Sequence, residues 1–117
     1  MKLKVFGLNK CSTCLKAIAW FDDYNISHHF TDVKEPPLNS TQVSKWSSAL
    51  GGWEKMINRA GYTWRGLSPA DTANLTEKKA IALALRYLSL IRRPLIEHAD
   101  GSVTVGFSEK VRSQLKP

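Results

Sequence analysis

Cysteine is scarce in this chain: across 117 residues there are two, Cys11 and Cys14. That excludes the disulfide framework of a small secreted domain, and leaves a zinc site two ligands short. Histidine does not make up the number, because His28, His29 and His98 lack the paired spacing that zinc ligands show, so no metal is expected. Long hydrophobic runs are missing as well. The longest, residues 80–85, falls far short of the ~20 residues that a membrane span requires. The first seven residues carry lysines but neither an apolar core segment nor a small-residue cleavage site, so no secretory signal is expected, and the cytoplasm is the expected location. Internal repeats and low-complexity tracts are absent. Acidic residues number 10 against 17 Lys and Arg, giving a net charge of +7 and a pI near 9.7. The excess forms no tail or stripe, its densest pairs being Lys78-Lys79 and Arg92-Arg93. It suits a solvated surface or a local anion site; with no recognition helix in view, direct nucleic-acid binding is not expected.

What is present is the pair itself, in Asn9-Lys10-Cys11-Ser12-Thr13-Cys14-Leu15-Lys16. Upstream, residues 2–8 read as a short strand with Leu3, Val5 and Phe6 as its apolar members. Downstream, Leu15, Ile18 and Ala19 recur at helical spacing, with Trp20 and Phe21 widening the apolar face. Cys11 then falls at a helix N-terminus, where unpaired N–H groups and the positive end of the helix dipole favour a thiolate, and Lys10 adds a neighbouring charge. Its pKa should fall. Cys14, one turn further in, is placed to attack any mixed disulfide on Cys11. A structural disulfide closing so small a loop would constrain the unfolded chain little. Two inert buried thiols remain an alternative, since free cysteine often serves as a small hydrophobe. A dithiol redox couple is the reading that uses both residues and their spacing.

Residues 28–33 read as a second strand, and Pro36-Pro37 breaks the pattern. A helix over 40–50, capped by Asn39 or Ser40, stops at Gly51-Gly52; Trp53, Met56 and Ile57 give a short amphipathic stretch, and residues 62–67 a loop. Ser68-Pro69 starts another helix. Thr76-Glu77 opens the most apolar one, with Ile81, Leu85 and Leu88 sharing a face that Leu83, Tyr87 and Leu90 widen. Pro94 ends the helical region. Residues 95–98 form a strand, Asp100-Gly101 turns a hairpin, Val103, Val105 and Phe107 alternate along its partner, and Ser108 caps a last helix that turns Val111 and Leu115 inward. Trp20 and Trp53 are expected in the core. The order implies an α/β fold: one domain over residues 1–117, a mixed four-stranded sheet, and a helical insertion, about residues 36–91, between the second and third strands.

This order, with a Cys-X-X-Cys at the first strand-helix junction and a proline opening the third strand, resembles a thioredoxin-like fold. More narrowly, the chain resembles the ArsC/Spx family of arsenate reductase-related proteins, and its YffB-like branch in particular. The resemblance is carried by Asn9-Lys10-Cys11, Gly61-Tyr62-Thr63-Trp64-Arg65-Gly66-Leu67, Ile91-Arg92-Arg93-Pro94-Leu95-Ile96 and Val105-Gly106-Phe107-Ser108. It implies that Cys11 is the nucleophile, that Arg93 is the arginine before a cis-proline at Pro94, and that Arg59 is an oxyanion-holding arginine. Phe107 stands where the family's third arginine would be, which weakens arsenate reduction, since an oxyanion relies on several preorganised donors. From the residues alone, Arg93 could instead pair with Glu97 or Asp22, Arg59 could be solvated, and Arg65 could stack on Trp64 rather than line a groove for a thiol cofactor. Two function classes follow. In the first, a thiol-disulfide oxidoreductase uses Cys11 as nucleophile and Cys14 as resolving thiol. Arg93 and Lys10 hold the thiolate, Arg59 and Arg65 the anionic partner; glutathione or a glutaredoxin-like reductant restores the pair, and no cofactor is tightly bound. Arsenate reduction is a variant of this class. In the second, an Spx-like redox-sensing regulator binds RNA polymerase.

Overall fold

The computed structural model describes residues 2–35 and 38–115; the Pro36-Pro37 break lies outside the described residues. Elements follow in the order β1 (Leu3–Gly7), α1 (Ser12–Asp23), β2 (His28–Asp32), α2 (Ser40–Leu50), α3 (Trp53–Met56), α4 (Tyr62–Arg65), α5 (Pro69–Thr72), α6 (Glu77–Arg86), a 3-10 turn (Leu88–Leu90), β3 (Leu95–Glu97), β4 (Val103–Val105) and α7 (Glu109–Leu115). They group into two compact units: residues 1–36 with 93–117, which hold the sheet, and residues 37–92, which are helical.

The sheet has the order β2-β1-β3-β4. β1 pairs parallel with β2, Gly7 opposite Asp32, and antiparallel with β3, Val5 opposite Ile96; β3 and β4 form the hairpin. The mixed four-stranded α/β sheet is the one expected, with the crossover α1 joining the parallel pair as such a connection requires. Asp100 makes the hairpin turn by accepting from the N–H and hydroxyl of Ser102, and Gly101 takes a left-handed φ of 88°. Because side chains alternate along a strand, Leu3 and Val5 share one sheet face; with Ile96 they meet Ala17 and Phe21 of α1 and Val111 of α7 in one buried cluster.

The buried face of α1 is not the expected one. Cys14, Ala17 and Phe21 point inward, whereas Leu15 is 54% exposed and Ala19 is exposed. The small apolar thiol of Cys14 opens the true core stripe and rotates the helix away from Leu15. Phe107 lies beyond the end of β4, after Gly106 turns the chain at φ 81°, and packs edge-on against Trp20 and Phe21. Trp20 and Trp53 are half-buried; the fully buried tryptophan is Trp46 of α2.

In the helical unit, Asn39 caps α2 by accepting from the Gln42 N–H at 2.9 Å, and Gly51 closes it with φ 92°. Residues 62–65, expected as loop, make a single helical turn. α6 stops at Arg86, so its apolar period does not extend to Leu88; its buried residues are Ala80, Ile81, Leu83 and Ala84. The buried Ser47 hydroxyl donates to Glu77, tying α2 to α6.

Candidate active site

The site lies where β1 and β2, the parallel pair, both end, the position at which open α/β sheets place ligands. From Gly7 the chain runs through Leu8, Asn9 and Lys10 to Cys11, the residue capping α1, whose extended backbone (φ −80°, ψ 122°) sets the side chain at the helix mouth. Two sets of hydrogen bonds fix this loop. The Cys11 N–H reaches Leu8 O at 3.1 Å and the Leu15 N–H reaches Cys11 O at 3.0 Å, closing the first turn. The Asp32 carboxylate accepts from the Asn9 N–H at 3.1 Å and the Lys34 N–H at 2.8 Å, clasping the loop to the end of β2; these donors hold its pKa below the usual carboxylate range.

The two thiols are differentiated in opposite directions. Partial burial pushes Cys11 up, but the Cys14 N–H, the Cys14 thiol and the Arg93 guanidinium all favour its anion, and the net result is a pKa below that of an ordinary thiol. A neutral thiol is a poor acceptor, and the Cys11 side chain makes no cap hydrogen bond; the thiolate is the form that these donors serve. Cys14 is fully buried, and burial above all, with the neighbouring Cys11 charge, pushes it up to about 11 against the opposing Leu8 N–H and Arg93. The space that Cys14 occupies exists because residue 7 is glycine: a Cβ there would collide with Cys14 Sγ. Both cysteines are free thiols.

An open cleft of ≈ 690 Å³ lies over Cys11, with Lys10, Lys34 and Arg93 as its cations and Asp32 as its carboxylate. Arg93 comes from the turn before β3 and Pro94 follows it; their peptide bond is cis, and the buried Pro94 accepts from the Gly106 N–H at 2.9 Å. The strand topology therefore brings Lys10, Cys11, Cys14 and Arg93 together. Asp22, weighed as a partner for Arg93, lies 4.0 Å from His28 instead. Arg59 and Arg65 belong to the helical unit, where Arg59 lies over Trp53 at 5.5 Å and Arg65 over Tyr62, not Trp64, at 5.4 Å. Phe107 supplies no cation; Arg112 lies over its ring and donates to its carbonyl. Sequence reading missed Gly7, Asp32 and Lys34. The signal for the last two was the parallel pairing, which sets the end of β2 beside the end of β1. Among the described residues no three His, Cys, Asp or Glu side chains converge as a metal site, and no helix is long and apolar enough to cross a membrane.

A four-stranded mixed sheet with a free Cys-X-X-Cys at its first strand-helix junction and a cis-proline before its third strand defines a thioredoxin-like fold. The ArsC family model matches residues 6–114, so the chain belongs to the ArsC family. It is 31% identical to an uncharacterised protein of Haemophilus influenzae over 92% of this chain and 93% of that one. The solved structure of a YffB protein superposes with a TM-score of 0.90 at 32% identity, covering 99% of this chain and 100% of the other. An arsenate reductase-related protein from Brucella melitensis does so at 0.80 and 31%, covering 97% and 93%.

Proposed function

We propose that this protein is a thiol-disulfide oxidoreductase with glutathione, or a glutaredoxin-like protein, as its electron donor. The observation that carries this is the opposed displacement of two adjacent thiols: Cys11 lowered and accessible from the cleft, Cys14 raised to about 11 and buried. Membership of the ArsC family supports a thiol-dependent redox enzyme. In the first step the Cys11 thiolate attacks one sulfur of a disulfide, forming a mixed disulfide and releasing the other sulfur as a thiolate. That step discharges Cys11, which removes the part of the Cys14 shift caused by its charge. Cys14 then passes its proton to the thiolate released in the first step and attacks Cys11 Sγ, releasing the second substrate thiolate and leaving the Cys11–Cys14 disulfide. Two donor thiols reduce this disulfide and are themselves oxidised to one. Arg93 and Lys10 hold the attacking thiolate, and Pro94 borders the substrate. No tightly bound cofactor is required, and a reducing cytoplasm suits the cycle.

Intact mass after brief native exposure to oxidised glutathione tests the scheme. Wild type should gain the internal disulfide, Cys14→Ser should hold one glutathione on Cys11, and Cys11→Ser should lose exchange by ~10³-fold or more. Unchanged masses, with Cys11 refractory to a small alkylating reagent, would sink it, and redox-dependent capture of RNA polymerase would then favour an Spx-like sensor. Arsenate reduction is the second reading, favoured by the cations over Cys11 and by the Brucella melitensis relative. Phe107 packed among Trp20 and Phe21 counts against it.

A further inference from the structure

The apolar surface of α6 exceeds what the core uses. Ala80, Ile81, Leu83 and Ala84 are buried, whereas Ala82 is exposed and Leu85 half-buried. Positions 78, 81, 82 and 85 follow at i, i+3, i+4 and i+7, which sets them along one face of the helix. With α2 they line an open groove of ≈ 780 Å³. The α2 wall offers the short side chains of Ser40, Thr41 and Ser44, so a third helix can approach at the usual 8–10 Å between axes. Charge in this unit is lopsided. Residues 37–92 hold eight Lys and Arg against three carboxylates, Glu54, Asp71 and Glu77, whereas the rest of the chain holds nine against seven. Two of the three carboxylates are engaged: Asp71 lies 3.9 Å from Arg86, and Glu77, the acid of the groove lining, accepts from the buried Ser47 hydroxyl. Lys45 on one wall and Lys78 on the other are exposed.

We infer that the groove between α2 and α6 docks a short acidic amphipathic helix of a partner protein. Its apolar side chains at i, i+4 and i+7 lie over Ile81, Ala82 and Leu85, and its carboxylates face Lys45 and Lys78. Residues 78–85 cover ~10 Å at 1.5 Å per residue, so two to three turns of the partner fill the groove. Charge complementarity selects the occupant. A second copy of this chain, itself carrying +7, meets like charge here, whereas an acidic helix is attracted and its encounter accelerated. The inference is independent of thiol exchange, because no residue of the groove lines the Cys11 cleft.

Selection of a displayed library of helix-stabilised peptides, each about 12 residues long, on the full reduced chain tests this. It should enrich acidic sequences with apolar residues at i, i+4 and i+7. In fluorescence anisotropy the enriched peptide should bind Ala82→Arg about tenfold more weakly than wild type or worse. The double variant Lys45→Glu/Lys78→Glu should lose about tenfold at low salt, and the loss should shrink at about 0.5 M salt. Residue 82 is exposed on a helix and arginine is a good helix former, so Ala82→Arg should keep the wild-type urea midpoint and Cys11 alkylation rate. Enrichment of basic or unpatterned peptides, no enrichment, or an affinity indifferent to Ala82→Arg in the folded variant would overturn the docking site. A dimer seen in sedimentation and abolished by Ala82→Arg would give the groove to a second copy, and overturn it as well.

Discussion

The sheet unit and the helical unit are built by different means. In the helical unit α2, α5 and α6 each carry their own start: Asn39 accepts from Gln42 N–H, Ser68 from Asp71 N–H and Thr76 from Lys79 N–H, three residues on in every case. In the sheet unit, the loop bearing Cys11 is set by residues distant in sequence: Asp32 at the end of the parallel neighbour and Arg93 at the entry to the antiparallel one. β1 has a strand on both sides, so its end cannot shift without breaking two ladders. Local signals suffice to build helices; a thiolate held by a guanidinium needs long-range pairing. The chemistry therefore resides where position is determined twice.

The largest expected effect falls in the helical unit and probes that separation. Trp46 is 1% exposed, and Trp46→Ala should cost about 3–5 kcal/mol in urea unfolding. Every residue lining the Cys11 cleft belongs to the sheet unit, so the Cys11 alkylation rate of the folded variant should stay at the wild-type value. A fall in that rate would break the comparison. Next is Gly7→Ala, whose methyl group meets Cys14 Sγ and lies 3.3 Å from Phe30 Cε2. Overpacking of this kind costs roughly 1–3 kcal/mol. In a Cys14→Ala background much of that loss should be recovered, a coupling that a double-mutant cycle reads directly.

How much of this was legible follows the same division. The bounds of α2, the Ser68-Pro69 start and the Thr76 cap were visible because the signals are local. The cis-proline and the Cys11–Arg93 juxtaposition were reached by resemblance, since nothing in residues 9–16 announces an arginine some eighty positions away. The inward face of α1 was misjudged because cysteine was counted as chemistry and not as core. Once Cys14 is admitted as apolar, the 14-17-21 spacing is the helical stripe. The apolar period of α6 was carried too far because Tyr87, where the helix stops, continues the pattern in residue type while its backbone (φ −128°, ψ 83°) does not. Asp32 and Lys34 stayed hidden because their role depends on the register of β2 against β1, which periodicity alone does not give.

Arg93→Met separates charge from fold in the sheet unit. The Cys11 thiol is charged when deprotonated, so removing a cation disfavours the thiolate and moves the midpoint of its alkylation profile upward. At neutral pH the variant should react more slowly than wild type, and well above both midpoints the two should converge. In wild type, the buried Cys14, its thiol pushed up, should be labelled far more slowly than Cys11 at neutral pH. A profile unmoved by the substitution would leave the helix terminus and Cys14 as the whole cause of the shift.

The smallest effects make a matched pair across the two units. Thr76→Ala removes the cap of α6, a loss of about 1 kcal/mol, and should leave Cys11 reactivity untouched. Asp32→Ala removes the two acceptors that clasp the Asn9 and Lys34 N–H groups, at the surface, where water can replace them. Its effect on unfolding should be the slighter of the two, yet Cys11 alkylation at neutral pH should slow, because the loop leading to the helix mouth is no longer tied to β2. If Asp32→Ala left that rate unchanged, the backbone bonds within residues 8–15 would be enough to place the nucleophile, and the long-range pairing would matter for Arg93 alone.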